Sequence, residues 1–136
     1  MPTVSVTRRA RFSAARRLRR ADWSEAQNLV SYGELTRLHG HDFVLDVTVR
    51  GEAGTASGMV VDLKALKALL IEVAVAPLNR RDLADTPLLA GQVPSTENLL
   101  AALWRQLSER LEAGLKLVEV RVEEGVGRSV AYRGEA

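Results

Sequence analysis

The chain has 136 residues, of which 46% are hydrophobic and 26% charged, close to ordinary globular usage. These proportions argue against a disordered or fibrous protein, and the absence of cysteine excludes a disulfide scaffold, a thiolate metal site and a cysteine nucleophile. The length predicts one domain over residues 1–136. No apolar stretch approaches the ~20 residues of a membrane span, and the N-terminus lacks a secretory pattern, so we expect a cytoplasmic protein without a membrane partner.

The net charge of +2 is unevenly distributed, because residues 1–21 carry many arginines and no acidic side chain. A basic arm of this kind is typical of proteins that bind anionic partners. A solvated strand face with a subunit contact explains the same arginines, and two Trp, two Tyr and two Phe are too few for a base-stacking platform. A nucleic acid or other polyanion therefore stays an alternative partner and not the favoured one.

The N-terminal half predicts two strands separated by a loop. Residues 3–15 alternate between polar and apolar side chains, which indicates a long strand. Residues 19–38 are polar and irregular, and we expect a long loop there. Residues 41–50 form the clearest strand pattern, since Phe43 and every second residue after it are apolar.

Two helices and two further strands follow in the sequence. Asp62 predicts the N-cap of a helix that Pro77 ends, and Ser95 predicts the cap of a second helix, with Glu97 in its first turn near the positive end of the dipole. Residues 116–124 and 128–133 predict strands joined by a tight turn.

The predicted element order is β-β-α-α-β-β. This order is typical of an α+β protein with a four-stranded antiparallel sheet and two helices on one face. Such a sheet leaves unpaired edges, so we expect a homo-oligomer closed through them, a trimer or a hexamer.

Three side chains are candidates for chemistry. His39 and His41 are two residues apart at a strand entry, so both point to one side and make half of a zinc site. A pair of hydrogen-bonded histidines without metal explains the same pattern. Glu124 continues the apolar face of the third strand, where a carboxylate needs a partner, unless the strand ends there and the side chain turns into water.

Several segments together resemble the 6-pyruvoyl-tetrahydropterin synthase and 6-carboxy-tetrahydropterin synthase family, in family order and at family spacing. They are FSAARRL (12–18), Asn28 through Ser31-Tyr32-Gly33, LHGHDF (38–43), GMVVDLKALK (58–67), Pro77-Leu78-Asn79, PSTENLLAALW (94–104) and EEGVGRSVAYRG (123–134). The resemblance implies the tunnelling fold, in which trimers close a barrel of strands and two trimers stack. It also implies a pterin-like small molecule as ligand and, as the nearest enzyme class, a lyase acting on dihydroneopterin triphosphate.

The resemblance assigns roles to few of this chain's polar residues. The family binds zinc through three histidines; His39 and His41 match two of them, and Arg16 stands at the third position. Glu124 matches the glutamate that anchors the pterin. The other family positions fall on residues without acid–base groups. Counting along the chain places Leu35 at the catalytic cysteine and Ala74 and Val75 at the Asp-His dyad.

Three functions remain open from the sequence. The first, which the site residues favour, is a pterin-pocket protein with an altered or impaired catalytic site. The second is an active zinc-dependent synthase in which Glu34, next to the lost cysteine position, or a water acts as base. The third is a polyanion binder. Arg16 would repel zinc or replace its positive charge if it points inward, and would leave two histidines and water if it turns out to solvent, so zinc stays open as a cofactor.

Overall fold

A computed structural model describes residues 2–54 and 56–135. Within these residues the chain forms one antiparallel sheet of four strands, and neighbours in the sheet are also neighbours in the chain. The strands are β1 Thr3–Arg16, β2 His39–Glu52, β3 Lys116–Glu124 and β4 Ser129–Tyr132. The predicted α+β architecture with a four-stranded antiparallel sheet is confirmed.

The helices lie between β1 and β2 and between β2 and β3. They are α1 Glu25–Tyr32, α2 Leu63–Leu70 and α3 Thr96–Arg110, with short 3₁₀ turns at Gly33–Thr36, Leu83–Asp85 and Pro87–Leu89. Ser95 caps α3 as predicted, since its side chain accepts from the N–H of Asn98. None of the helices in the described part of the chain is long and apolar enough to cross a membrane.

The helical segment that begins with α2 ends one residue after the predicted position. Asp62 caps it, accepting from the N–H of Lys64 at 2.9 Å. The chain then widens into a π-helical turn, Ile71–Val75, and ends with one more turn, Ala76–Leu78. Pro77 is followed by a single helical residue, and the backbone is extended at Asn79. The predicted end of the helix is therefore correct to within one residue.

Helix α1 contradicts the loop predicted over residues 19–38. Ser24 and Gln27 form a reciprocal capping box at its start, in which each side chain accepts from the other's backbone N–H. The helix is held by a polar residue, since Asn28 is 1% exposed and bonds to both the N–H and the carbonyl of Arg20. Helix α1 has no apolar stripe, so the signal for a helix in this part of the sequence was its capping box.

The core lies between the sheet and helices α2 and α3. The strand and helix periodicity of the sequence predicts nine core residues, and each of them is at most 2% exposed. They are Phe43, Leu45, Val47, Leu66, Leu70, Leu103, Leu107, Val120 and Val122. Because β1 and β2 are antiparallel, the end of β1 and the beginning of β2 meet at one end of this core, where the predicted site residues lie.

Candidate functional site

The sheet register brings four polar residues to one face. Arg16 lies opposite His39 in the β1–β2 pair, and Glu124 lies opposite Phe43 in the β2–β3 pair. Opposite residues of an antiparallel pair share a face, and so do residues two apart on one strand. Arg16, His39, His41 and Glu124 therefore lie on the same face as Phe43, which is the face that carries the core.

Arg16 and Glu124 form a buried ion pair. Nη2 of Arg16 donates to Oε1 of Glu124 at 3.1 Å, and the two side chains are only 7% and 9% exposed. Nη1 of Arg16 donates to the hydroxyl of Thr96 at 2.9 Å and to the carbonyl of Pro94 at 3.3 Å. Arg16 and Glu124 therefore both point inward. This geometry excludes the two alternatives that the sequence left open, in which one of these side chains turns into solvent.

Each member of the ion pair keeps polar atoms without a close hydrogen bond. A second cation, Arg128, approaches the other oxygen of Glu124 at 3.9 Å. Nε of Arg16 is buried without a hydrogen-bond partner among the described residues. Removing one member of a buried pair typically costs about 3–5 kcal/mol, because the other charge is left uncompensated. Arg16 and Glu124 therefore depend on each other inside the fold.

The two histidines meet as predicted. Their ring centroids are 5.0 Å apart and the rings are nearly perpendicular. Nδ1 of His39 lies 2.7 Å from the carbonyl of Arg37, and since a carbonyl only accepts, Nδ1 carries the proton. In the neutral ring Nε2 of His39 is then an acceptor, and it is buried without a partner among the described residues.

Burial and charge lower the pKa of His41. The pKa lies below its ordinary value, first because burial disfavours the charged ring and then because the Arg16 guanidinium repels it. Glu124 acts in the opposite direction. The neighbouring arginine thus has a direct electrostatic effect on His41.

The residues present do not fit a three-ligand zinc site. Nε2 of His39 is free to coordinate, but a guanidinium cannot coordinate a metal, and Arg16 is already bound to Glu124. Over residues 2–54 and 56–135 no three His, Cys, Asp or Glu side chains are grouped so as to hold a metal ion. The histidine pair is therefore an incomplete ligand set.

Glu124 lies at the wall of a cavity of about 580 Å³ between the start of α3 and the β3–β4 turn. A volume in the range of roughly 300–1,000 Å³ is typical of small-molecule sites. The lining residues include Arg16, Thr96, Glu97, Glu124 and Arg128. These residues can therefore offer a ligand two carboxylates, a hydroxyl and two cations.

A second cavity, of about 440 Å³, lies beside His41 and is lined in part by Arg80, Arg81 and Asp82. This segment runs along the end of β1, where the N–H of Ala15 donates to the carbonyl of Arg81 at 2.9 Å. Sequence reasoning missed these residues, although their polar run directly after a helix was a signal.

The counted dyad position does not reach this cavity. Ala74 is 1% exposed within the core, inside the π turn of α2, and neither it nor Val75 lines the cavity beside His41. The count along the chain fell several residues too early to identify the segment that approaches His41.

The 3₁₀ turn before β2 carries Glu34 and Leu35. The carbonyl of Leu35 accepts from the N–H of Leu18 at 2.8 Å, which places this turn beside the end of β1. The Glu34 side chain is nevertheless 85% exposed, and its carboxylate lies 3.6 Å from Arg37. The structure thus brings Arg16, Glu124 and the histidines together and leaves Glu34 in solvent.

Comparison with known proteins gives consistent results over nearly the whole chain. The sequence model of the family described as 6-pyruvoyl tetrahydropterin synthase matches residues 5–135. The human 6-pyruvoyl tetrahydrobiopterin synthase is 38% identical over 135 residues, covering 97% of this chain and 92% of that protein. The structure of the Caenorhabditis elegans 6-pyruvoyl tetrahydropterin synthase superposes with a TM-score of 0.90 at 31% identity, covering 99% of this chain and 98% of the other.

A relative with another named activity is also similar. The dihydroneopterin monophosphate aldolase of Pyrococcus furiosus is 30% identical over 117 residues, 86% of each chain. Relatives of this chain therefore carry more than one named activity.

We predict that replacing Arg16 raises the pKa of His41. In Arg16→Met the repelling cation is gone while Glu124 remains, so the pKa should move upward from its depressed value. Histidine ring signals followed by NMR titration in EDTA-treated protein measure the shift. Arg17→Met, on the exposed neighbouring residue, should leave the titration unchanged. A His41 pKa that stays the same or falls in Arg16→Met contradicts the prediction.

Proposed function

Because the chain belongs to the 6-pyruvoyl tetrahydropterin synthase family, we propose that it binds a pterin at Glu124 and that its catalytic site is altered. The observation that carries the proposal is the position of Glu124, whose carboxylate lines a cavity of about 580 Å³ and is buried. A buried carboxylate in a cavity of ligand size is a recognition group for a cationic or N–H-rich ligand edge.

A pterin supplies such an edge. Its 2-amino-4-oxo ring presents two neighbouring N–H donors in one plane, and a carboxylate accepts two parallel hydrogen bonds. The hydroxyl of Thr96 lines the same cavity and adds a donor or acceptor for the ring's remaining polar atoms. These groups support recognition of the pterin ring itself.

The catalytic machinery is the part that we propose to be altered. Arg16 stands at the position of a zinc ligand, and Leu35, at the counted position of the catalytic cysteine, offers no group that transfers a proton. A general acid or base typically contributes about 10²–10⁴-fold to a rate, so ordinary synthase turnover should be very low. The active-lyase alternative relies on Glu34 or water, and the exposure of Glu34 favours the altered site.

The polyanion alternative receives less support from the arginine-rich arm. Arg9, Arg19 and Arg20 are each within 3.0 Å of a carboxylate, those of Asp46, Glu25 and Asp22. Arginines that are neutralised in this way contribute little to a field that would attract phosphates.

Binding should require Glu124. We expect Glu124→Gln to weaken the binding of neopterin by about tenfold or more, because the amide loses the charge and one of the two acceptors that the ring edge needs. Titration of neopterin fluorescence, or calorimetry, measures the change. Glu123→Gln is the matched control, since Glu123 lies on the other face of β3 and contacts Arg121. Equal neopterin affinity in wild type and Glu124→Gln would refute the proposed pocket.

Metal content should follow residue 16. Protein purified without chelator or added zinc should carry clearly less than one zinc per chain, and Arg16→His should carry more, because it completes a three-histidine set with His39 and His41. Turnover of dihydroneopterin triphosphate, measured on both proteins, should be very low in wild type. Stoichiometric zinc with ordinary turnover in wild type would show that the site is intact.

We also propose a cytoplasmic homo-oligomer, a trimer or a hexamer. In the described residues β1 and β4 each pair on one side only, and 14-residue β1 presents a long edge. Unpaired edges are stabilised when copies of the chain add strand to strand. Light scattering coupled to gel filtration should give the mass of three or six chains, and a stable monomer at micromolar concentration would refute the expectation.

A further inference from the structure

Arg16 occupies the place at Glu124 that a ligand ring would take. Its guanidinium holds Oε1 of Glu124 and is fixed further by Thr96 and Pro94. The arginine lines the same cavity as the carboxylate. A ring that approaches Glu124 with two N–H donors therefore meets an oxygen that is already bound.

The guanidinium and the ring edge offer the carboxylate the same chemistry. Both are planar, and both present parallel N–H donors on either side of one carbon. Both match the spacing of the two oxygens of a carboxylate. A second donor of this kind cannot use the same lone pairs at the same time.

We propose that Arg16 is an internal competitor for the pterin subsite, so that a 2-amino-4-oxo ring binds Glu124 only when Arg16 withdraws. This inference rests on the proposed function, because it concerns the same subsite. It makes Arg16 a residue that sets ligand affinity, in addition to its effect on metal binding. The subsite is occupied by the chain itself before a ligand arrives.

Groups around Arg16 allow its guanidinium to leave Glu124. Nε of Arg16 has no partner among the described residues, so one donor of the arginine is unsatisfied while it is bound to Glu124. Glu97, an exposed residue at the start of α3, lines the same cavity and offers a carboxylate to the displaced guanidinium. When a ligand binds Glu124, Arg16 thus exchanges its ion pair with Glu124 for one with Glu97.

The test compares neopterin binding by wild type, Arg16→Ala and the control Arg17→Ala, all with EDTA present. Arg16→Ala should bind neopterin about tenfold or more tightly than wild type, because the competitor for a charge-assisted hydrogen bond is absent. Arg17→Ala should match wild type. In the double variant Arg16→Ala/Glu124→Gln the gain should disappear.

Methylguanidinium chloride separates competition from a general change in the fold. In Arg16→Ala, millimolar methylguanidinium should refill the vacated space and weaken neopterin binding competitively, whereas an equal concentration of sodium chloride should not. In wild type the same addition should have little effect, since the subsite is already filled by Arg16. If Arg16→Ala does not fold, Arg16→Gln, which keeps amide donors without the charge, takes its place.

The outcomes distinguish this inference from the proposed function. Neopterin binding that depends on Glu124 but is unchanged or weaker in Arg16→Ala, or is insensitive there to methylguanidinium, overturns the competition and leaves the pterin pocket standing. Absence of neopterin binding in all of the variants overturns the pocket itself, and the competition with it.

Discussion

The ion pair between Arg16 and Glu124 is the interaction on which the site depends. It joins the end of β1 to the end of β3 across β2, and it is bordered by Phe43, whose ring centroid lies 5.7 Å from the guanidinium carbon. Because both charges are buried, neither residue can be changed without consequence for the other. Arg16 also lowers the pKa of His41 and holds the carboxylate that we propose to recognise the ligand, so one side chain affects both His41 and Glu124.

The sequence predicted the parts of the fold that repeat a pattern. Alternation in β2 and helical spacing in α3 identified the core, because burial on one face imposes a period that is readable in the residues themselves. Helix α1 was missed because its buried residue is Asn28, which makes no apolar stripe. Pro77 located the end of the helical segment that follows α2 to within one residue, whereas the π turn inside it was not predicted.

The sequence predicted which residues form the candidate site, but not which of them contact each other. His39, His41 and Glu124 could be identified because each lies on an apolar strand face, where a buried polar side chain costs free energy unless it has a partner. That Arg16 binds Glu124 could not be read from spacing, since the two residues meet only through the register of three strands. The approach of Arg80–Asp82 to His41 likewise depends on how the chain after α2 returns along β1.

The position of the ion pair in the chain has a consequence for how the protein folds. Its partners are separated by 108 residues, and β2 must be in place between them before they can meet. Contacts of such long sequence separation require loop closure first and so form late. Glu124 lies near the C-terminal end of the chain, so Arg16 at the end of β1 meets this partner only when β1, β2 and β3 are aligned. The buried pair is thus a contact that reports the register of three strands at once.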